Sequence, residues 1–106
     1  MWQFKDYQGT LIRLTEERRF HILSHPEMRN LIDELEVVLQ IPDRVVQSLS
    51  DPQVNLYYRW YRNTPVGEKF LCVVAKFKKK ENDAFVITAY LTDTMKKGTV
   101  LWLKSV

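Results

Sequence analysis

The sequence predicts an α+β fold in which an N-terminal hairpin and two helices pack on one face of a four-stranded antiparallel β-sheet. Apolar residues at helical spacing are confined to the first 40 or so residues, whereas short β-rich segments dominate after Pro42. Short turns join those segments, which favours an antiparallel meander. At 106 residues the chain fits a single domain, residues 1–106, with one core.

The opening segment is typical of a hairpin. Trp2 and Phe4 alternate with polar residues, Gln8-Gly9 is a turn dipeptide, and Ile12 and Leu14 alternate again. Two strands are therefore expected before the first helix.

Helices are expected on both sides of Pro26. Thr15 is a candidate N-cap for the first, which should end near Ser24 because proline disfavours helical geometry at the preceding residue. The second is expected from about Glu27 to Gln40. Its apolar stripe at helical spacing comprises Met28, Leu31, Ile32, Leu35, Val38 and Leu39.

The rest of the chain is expected to form strands. A short one is expected around Val45, Val46 and Leu49. The four strands of the predicted sheet follow at Val54–Arg62, Lys69–Phe77, Ala84–Thr92 and Thr99–Leu103. Strict alternation along the third of these would put Ala84, Val86, Thr88, Tyr90 and Thr92 on one face.

Composition narrows the function classes only mildly. A net charge of +3 and a pI of about 9.1 are compatible with a polyanionic partner. No apolar run approaches the ~18 residues of a membrane span and no signal-peptide pattern opens the chain, so a cytoplasmic protein without membrane association is expected. Cys72 lies in an apolar run, which favours a buried residue over a catalytic thiol.

His21 and His25 are four residues apart and should share a helix face with Arg18. Two imidazoles beside a guanidinium suit proton transfer and neutralisation of a phosphate. A zinc site is disfavoured because Ile22 occupies the position of the general-base glutamate in metalloproteases, and no third ligand stands out. A purely structural role for both histidines is the open alternative.

A run of aromatic and basic residues marks the strand that begins at Val54. Alternation puts Tyr58 and Trp60 on the core side and Tyr57, Arg59 and Tyr61 on the other, where a guanidinium between two rings suits phosphate binding and base stacking. Cross-strand packing of the rings is the alternative.

Further candidate residues follow on the later strands. Lys76 ends an apolar strand, and Thr88 and Tyr90 carry hydroxyls suited to hydrogen bonding with a phosphate. Lys96 and Lys97 suit backbone contacts if they border the same cleft. Each of these residue types is also common in strands and turns without a function.

Together these segments resemble the phage-associated branch of the barnase–EndoU–colicin–RelE ribonuclease superfamily. The resemblance covers roughly residues 11–102, and its combination of the His-x-x-x-His-Pro helix with the Thr-Ala-Tyr strand is fairly specific. The residues that carry it are Leu14–Glu27, Pro42-Asp43, Tyr57-Tyr58-Arg59, Leu71–Lys76 and Phe85–Thr92.

The resemblance implies a metal-independent, cofactor-free endoribonuclease acting as a toxin in a toxin–antitoxin or phage-linked system, with a protein antitoxin as partner. In such enzymes a base removes the proton of a ribose 2′-OH, which attacks the adjacent phosphate, and an acid protonates the leaving oxygen. By motif position, His21 is the lead catalytic residue and His25 its partner. Arg59 and Lys76 stabilise the phosphate, while Thr88 and Tyr90 donate hydrogen bonds.

RNA contacts are expected from Arg18, Tyr57, Tyr61, Lys96 and Lys97. A non-catalytic RNA-binding or protein-interaction module on the same fold is the alternative, because the aromatic and basic strand accounts for binding without acid–base chemistry. DNA cleavage is a third possibility, but 2′-OH chemistry would exclude it.

Overall fold

A computed structural model of the chain describes residues 1–105, which form one seven-stranded sheet with two short helices. The strands are β1 (Trp2–Lys5), β2 (Leu11–Leu14), β3 (Arg44–Ser48), β4 (Val54–Thr64), β5 (Gly67–Lys78), β6 (Asp83–Thr92) and β7 (Gly98–Leu103). The helices are α1 (Glu16–Leu23) and α2 (Glu34–Gln40), with 3-10 turns at Pro26–Met28 and Lys79–Glu81. No helix among these residues is long and apolar enough to cross a membrane.

The sheet is mixed, with strand order β1-β2-β6-β5-β4-β3-β7. β2 and β6 are parallel and meet at Arg13 and Phe85, whereas every other pair is antiparallel. The class is α+β, but the predicted four-stranded antiparallel sheet is wrong. The N-terminal hairpin extends the sheet at one edge, and β3 is a full member near the other.

The position of β7 also departs from the predicted meander. A short connection suggested that β7 would pair with β6, yet it pairs with β3, from Arg44↔Leu103 to Ser48↔Gly98. The connecting segment, residues 93–97, instead crosses the sheet. Met95 packs over its surface, and the backbone amide of Lys96 reaches the hydroxyl of Tyr58.

Two apolar clusters lie on opposite faces of the sheet. On the helix face, Ile22 of α1 and Leu35 of α2 share a large buried cluster with sheet residues such as Tyr57 and Val73. The other face, here called the open face, carries a smaller buried cluster of Val46, Leu56, Tyr58 and Cys72, to which neither helix contributes. Among residues 1–105, this cluster is packed by Met95 of the loop that precedes β7.

The helix boundaries follow local chemistry. α1 begins as predicted, with the Thr15 hydroxyl accepting a hydrogen bond from the Arg18 amide. The second helix is shorter than predicted. Hydrogen bonds between residues three apart, such as that from the Leu31 amide to the Met28 carbonyl, form a series of turns where its first residues were expected. Met28 and Leu31 are nevertheless buried.

The turn between β1 and β2 is fixed by a buried carboxylate. Asp6 is only 6% exposed, and it accepts hydrogen bonds from the amides of Gln8 and Thr10 and from the Tyr57 hydroxyl, at 2.9, 3.0 and 2.7 Å. Gly9 supplies the positive φ that the turn requires. Both oxygens of this carboxylate are thus used in structure.

Candidate functional site

A groove of about 400 Å³ on the open face brings together several of the predicted site residues. It is lined by the β3–β4 loop, by β4, β5 and β6, and by the loop that precedes β7. The lining residues are Ser48, Leu49, Ser50, Asp51, Val54, Leu56, Val74, Thr88, Tyr90, Lys96 and Lys97. Four of them, Thr88, Tyr90, Lys96 and Lys97, were predicted from the sequence.

A β-bulge aims the β6 hydroxyls into this groove. The register of β6 against β5 shifts between Val74↔Thr88 and Ala75↔Val86, so that Ile87 is an extra residue. Val86 therefore faces the helices, while Thr88 and Tyr90 face the open side. Strict alternation from Val86, as the sequence suggested, would have assigned all three to one face, and that expectation is wrong.

A row of polar groups that are buried or half-buried extends from the groove into the sheet, and Tyr90 is the member that lines the groove. Tyr90, Cys72 and Tyr58 are directly paired across β6, β5 and β4. Burial raises the pKa of Tyr58 to about 12 and that of Tyr90 further still. Both phenols therefore stay protonated near neutral pH, and Tyr90 is suited to donating a hydrogen bond but not to removing a proton.

Cys72 lies in the same row and is fully buried, as the sequence predicted. Burial raises the pKa of its thiol to about 12. The thiolate, which is the reactive form, is thus suppressed at neutral pH, and a nucleophilic role for Cys72 is disfavoured.

Lys76 reaches the groove through an ion pair. Its ammonium lies 3.3 Å from Oδ2 of Asp51, which lines the groove wall. The hydrogen bond from the Gln53 amide is the main reason that the pKa of Asp51 lies below its usual value. Lys76 lowers this pKa further, whereas desolvation raises it. Lys76 is thus partly neutralised, whereas Lys96 and Lys97 are exposed.

Asp51 and the loop around it were missed by the sequence reasoning. The sequence predicts only that Ser50-Asp51-Pro52 ends the short strand around Val45, Val46 and Leu49. Hydroxyls and the carboxylate fix the loop, with the Ser48 and Ser50 hydroxyls 3.0 Å apart and the Asp51 amide donating to Ser48. A cluster of turn-forming polar residues between two strands was the available indication of a cleft wall.

The histidine pair lies on the other side of the sheet. α1 packs through Ile22 into the helix-face cluster, and His21 and His25 are both exposed. The expectation that both share a helix face is wrong, because α1 ends at Leu23 and His25 has an extended backbone conformation. Their ring centroids are nevertheless 5.9 Å apart in an edge-to-face arrangement, and Nδ1 of His25 lies 4.0 Å from Oε1 of Glu27. The structure therefore does not bring the histidines together with Thr88 and Tyr90.

The aromatic and basic residues of β4 also face the helices. Tyr57 has no exposed surface, and Tyr61 donates a 2.8 Å hydrogen bond from its hydroxyl to Glu34. Arg59 donates a 2.8 Å hydrogen bond to the Ile41 carbonyl and lies 5.9 Å from the Tyr61 ring. The alternation predicted along β4 is present, but the predicted core side is wrong. Tyr57 and Tyr61 pack in the large helix-face cluster, whereas Tyr58 lies on the open face and Trp60 is exposed.

The remaining candidate, Arg18, is half-buried on α1 one turn before His21. The predicted residues consequently fall into three places. Thr88, Tyr90, Lys96, Lys97 and the adjacent Lys76 belong to the open-face groove. Arg18 and His21 belong to α1, and His25 lies two residues beyond the end of that helix. Tyr57, Arg59 and Tyr61 belong to the helix face of β4.

Two further observations help to define the site. Among residues 1–105, no cluster of three or more His, Cys, Asp and Glu side chains is placed to hold a metal ion. A larger groove of about 1090 Å³, which Lys79 and Lys80 help to line, contains none of the predicted site residues.

Comparison with known proteins identifies no relative of this chain. No known protein family matches the chain, and neither the curated proteins nor the solved structures contain a significant match.

Proposed function

We propose that this chain binds RNA through the open-face groove. The observation that carries the proposal is the convergence of two exposed lysines, Lys96 and Lys97, with the hydroxyls of Thr88 and Tyr90 in one cleft. Exposed ammonium groups attract a phosphate backbone, and hydroxyl donors fix individual phosphate or sugar oxygens.

The groove also offers an apolar contact for a base. Leu49 of the β3–β4 loop lies on its rim, and 74% of this residue is exposed. An unstacked base of a single strand could cover this side chain while its phosphate lies over Lys96 or Lys97. Single-stranded RNA therefore suits the cleft better than a duplex, whose bases are enclosed.

The chemistry of the groove favours binding over cleavage. Attack by a 2′-OH requires a base near the operating pH. The lining residues contain no histidine, and the single carboxylate among them, Asp51, has a lowered pKa and an ion pair with Lys76. A carboxylate stabilised in its charged form is a weak base.

Salt-dependent binding tests the proposal. A fluorescein-labelled oligouridylate, titrated at several salt concentrations, should bind with an affinity whose logarithm falls linearly with the logarithm of salt concentration. The double substitution Lys96→Ala/Lys97→Ala should reduce that slope by about 0.7 for each phosphate that is no longer neutralised by a lysine.

The matched control is Lys79→Ala/Lys80→Ala, which removes the same charge from exposed residues of the other groove. It should leave the slope nearly unchanged. Equal losses of affinity in the two double variants would show that binding follows net charge alone, and the assignment of the groove would then be abandoned.

A second candidate function is metal-independent RNA cleavage at the histidine pair, as expected of a toxin with a protein antitoxin. It is favoured by the edge contact of the exposed His21 and His25 rings, with Arg18 three residues before His21 on α1. In this scheme His21 accepts the 2′-OH proton, the oxygen attacks phosphorus, and His25 protonates the departing 5′ oxygen, leaving a 2′,3′-cyclic phosphate. Arg18 would offset the charge of the phosphorane.

Cleavage assays in the presence of a chelator distinguish the two functions. Under the second, His21→Ala abolishes formation of the cyclic phosphate and relieves growth arrest in cells expressing the chain, whereas Lys96→Ala/Lys97→Ala leaves chemistry at saturating RNA intact. Under binding alone, purified chain retains RNA without cutting it. Cleavage by His21→Ala at the parental rate would remove the histidine pair from consideration.

A further inference from the structure

The outer edge of β7 is an unpaired strand edge with an apolar surface. β7 ends the strand order, and within residues 1–105 no strand pairs with its outer side. The six residues Gly98–Leu103 contain no charged side chain, and three aliphatic residues project into solvent. Val100, Leu101 and Leu103 are 51, 43 and 59% exposed. Such an edge presents backbone donors and acceptors to any added strand.

The opposite edge of the sheet is protected by contrast. β1 has four residues and ends in Lys5, and the guanidinium of Arg19 covers the ring of Trp2 at 4.8 Å. Short length and charge are features by which proteins block edge pairing. β1 carries its charge within the strand, whereas β7 is two residues longer and its neighbouring lysines lie outside the strand. Although the register of β7 against β3 shifts between Val45 and Val46, β7 is the edge more open to a partner.

Cations bracket the apolar edge. Lys97 directly precedes β7 and Lys104 directly follows it, and both are exposed. Arg44, paired with Leu103 across β3 and β7, has a buried Nε without an acceptor. Asp43 lies 3.8 Å from Lys104 and offsets part of its charge. The edge therefore carries positive charge at both ends of an apolar centre.

We propose that β7 accepts an extended segment of another protein as an eighth strand, with aliphatic residues in the centre of that segment and carboxylates at both ends. Backbone hydrogen bonds would supply the pairing, and the flanking charges would select the partner. A second copy of this chain is disfavoured as the occupant. Antiparallel β7–β7 pairing would place Lys97 of one copy beside Lys104 of the other. The inference does not depend on RNA binding, and Lys97 is the one residue that borders both surfaces.

A designed peptide tests the proposal with the whole chain. The probe is an amidated peptide of alternating valine and threonine with two glutamates at each end, and the control peptides carry lysines at the ends or N-methyl groups on alternate residues. The glutamate peptide should bind and slow hydrogen exchange of amides in residues 98–103, with no change in residues 2–5. The lysine and N-methylated peptides should not bind.

Variants locate the binding surface. Leu103→Asp should weaken binding of the glutamate peptide roughly tenfold or more, because a carboxylate would then face the carboxylates of the peptide. The matched control is Val66→Asp, at a residue of similar exposure in the β4–β5 turn, which should bind like the parent chain.

Three results would overturn the proposal. These are equal binding of the glutamate and N-methylated peptides, equal weakening by Val66→Asp, and exchange protection at β1. Concentration-dependent dimerisation with β7 protected in the absence of peptide would identify a second copy as the occupant and likewise reject an acidic partner.

Discussion

The hydroxyl of Tyr58 accepts a 2.9 Å hydrogen bond from the backbone amide of Lys96. Tyr58 lies on the central strand β4 and is fully buried, whereas Lys96 belongs to the loop that crosses the open face. One buried hydroxyl thus holds the cationic loop over the sheet and sets the position of the groove.

Tyr58→Phe should loosen this loop. The Lys96 amide would lose its partner in a partly buried position, which typically costs about 1–3 kcal/mol. Urea denaturation should show reduced stability, and oligouridylate affinity should fall because the lysines lose their placement. Tyr61→Phe, which removes the hydroxyl bonded to Glu34 on the helix face, is the control that should lower stability without changing RNA affinity. Unchanged affinity in Tyr58→Phe would separate the loop from RNA binding.

Cys72 should make the protein sensitive to alkali. Its pKa is raised by burial from the ordinary 9.0 to about 12, so between these values the unfolded thiol loses its proton while the folded thiol retains it. The unfolded state then binds fewer protons, and stability falls as pH rises. Chemical denaturation across this range should give a shallower fall for Cys72→Ala than for the parent chain. Parallel pH profiles would contradict this linkage.

The ion pair between Arg13 and Asp83 should make the stability of the fold depend on pH in the acidic range. Both hydrogen bonds from the guanidinium to the carboxylate measure 2.8 Å. They join β2 to β6, two strands whose backbones pair at a single position, Arg13↔Phe85. The hydrogen bond from Arg13 lowers the pKa of Asp83. Its stabilising effect is therefore complete above the ordinary carboxyl range and is lost as pH falls through and below that range.

Asp83→Asn should flatten the acid limb of a thermal-unfolding pH profile. Asp33→Asn is the control, because Asp33 is exposed and its side chain forms no cap hydrogen bond. If the two variants give the same acid limb, the Arg13–Asp83 pair does not couple the hairpin to the sheet.

Gly98 should tolerate no side chain. A Cβ at this position would collide with the Gln47 carbonyl oxygen and with Cγ1 of Val46 on the neighbouring strand. Gly98→Ala should therefore displace the start of β7 and cost about 1–3 kcal/mol in urea denaturation, the usual range for overpacking. Thr99→Ala, at the next and exposed residue, should have little effect. Full stability of Gly98→Ala would show that β7 can shift freely against β3.

The local elements were more predictable than their assembly. The cap at Thr15 and the hairpin follow from residues within a few positions of one another. The pairing of β7 with β3 depends on contacts between residues far apart in sequence, such as Val46 and Val100, and no local pattern encodes it. Helical spacing likewise did not show that residues 29–33 would form a series of turns.

The same distinction applies to the candidate site. Residue type identified Lys96, Lys97, Thr88 and Tyr90, but the groove around them depends on the bulge at Ile87 and on the loop crossing the sheet. The four-residue spacing of His21 and His25 predicted a shared helix face, but the helix ends before His25, and the two rings meet across the turn that follows it. The spacing carried no information about which face of the sheet α1 would cover.

The pairing of β3 with β7 has a consequence for biosynthesis. Val45 and Val46 are made early, but their second neighbouring strand is not available until residues 98–103 have left the ribosome. Until then β3 exposes an apolar edge to other nascent chains, which favours intermolecular association over completion of the sheet. Translation rate and chaperone supply should therefore affect the yield of this small domain more than its size suggests.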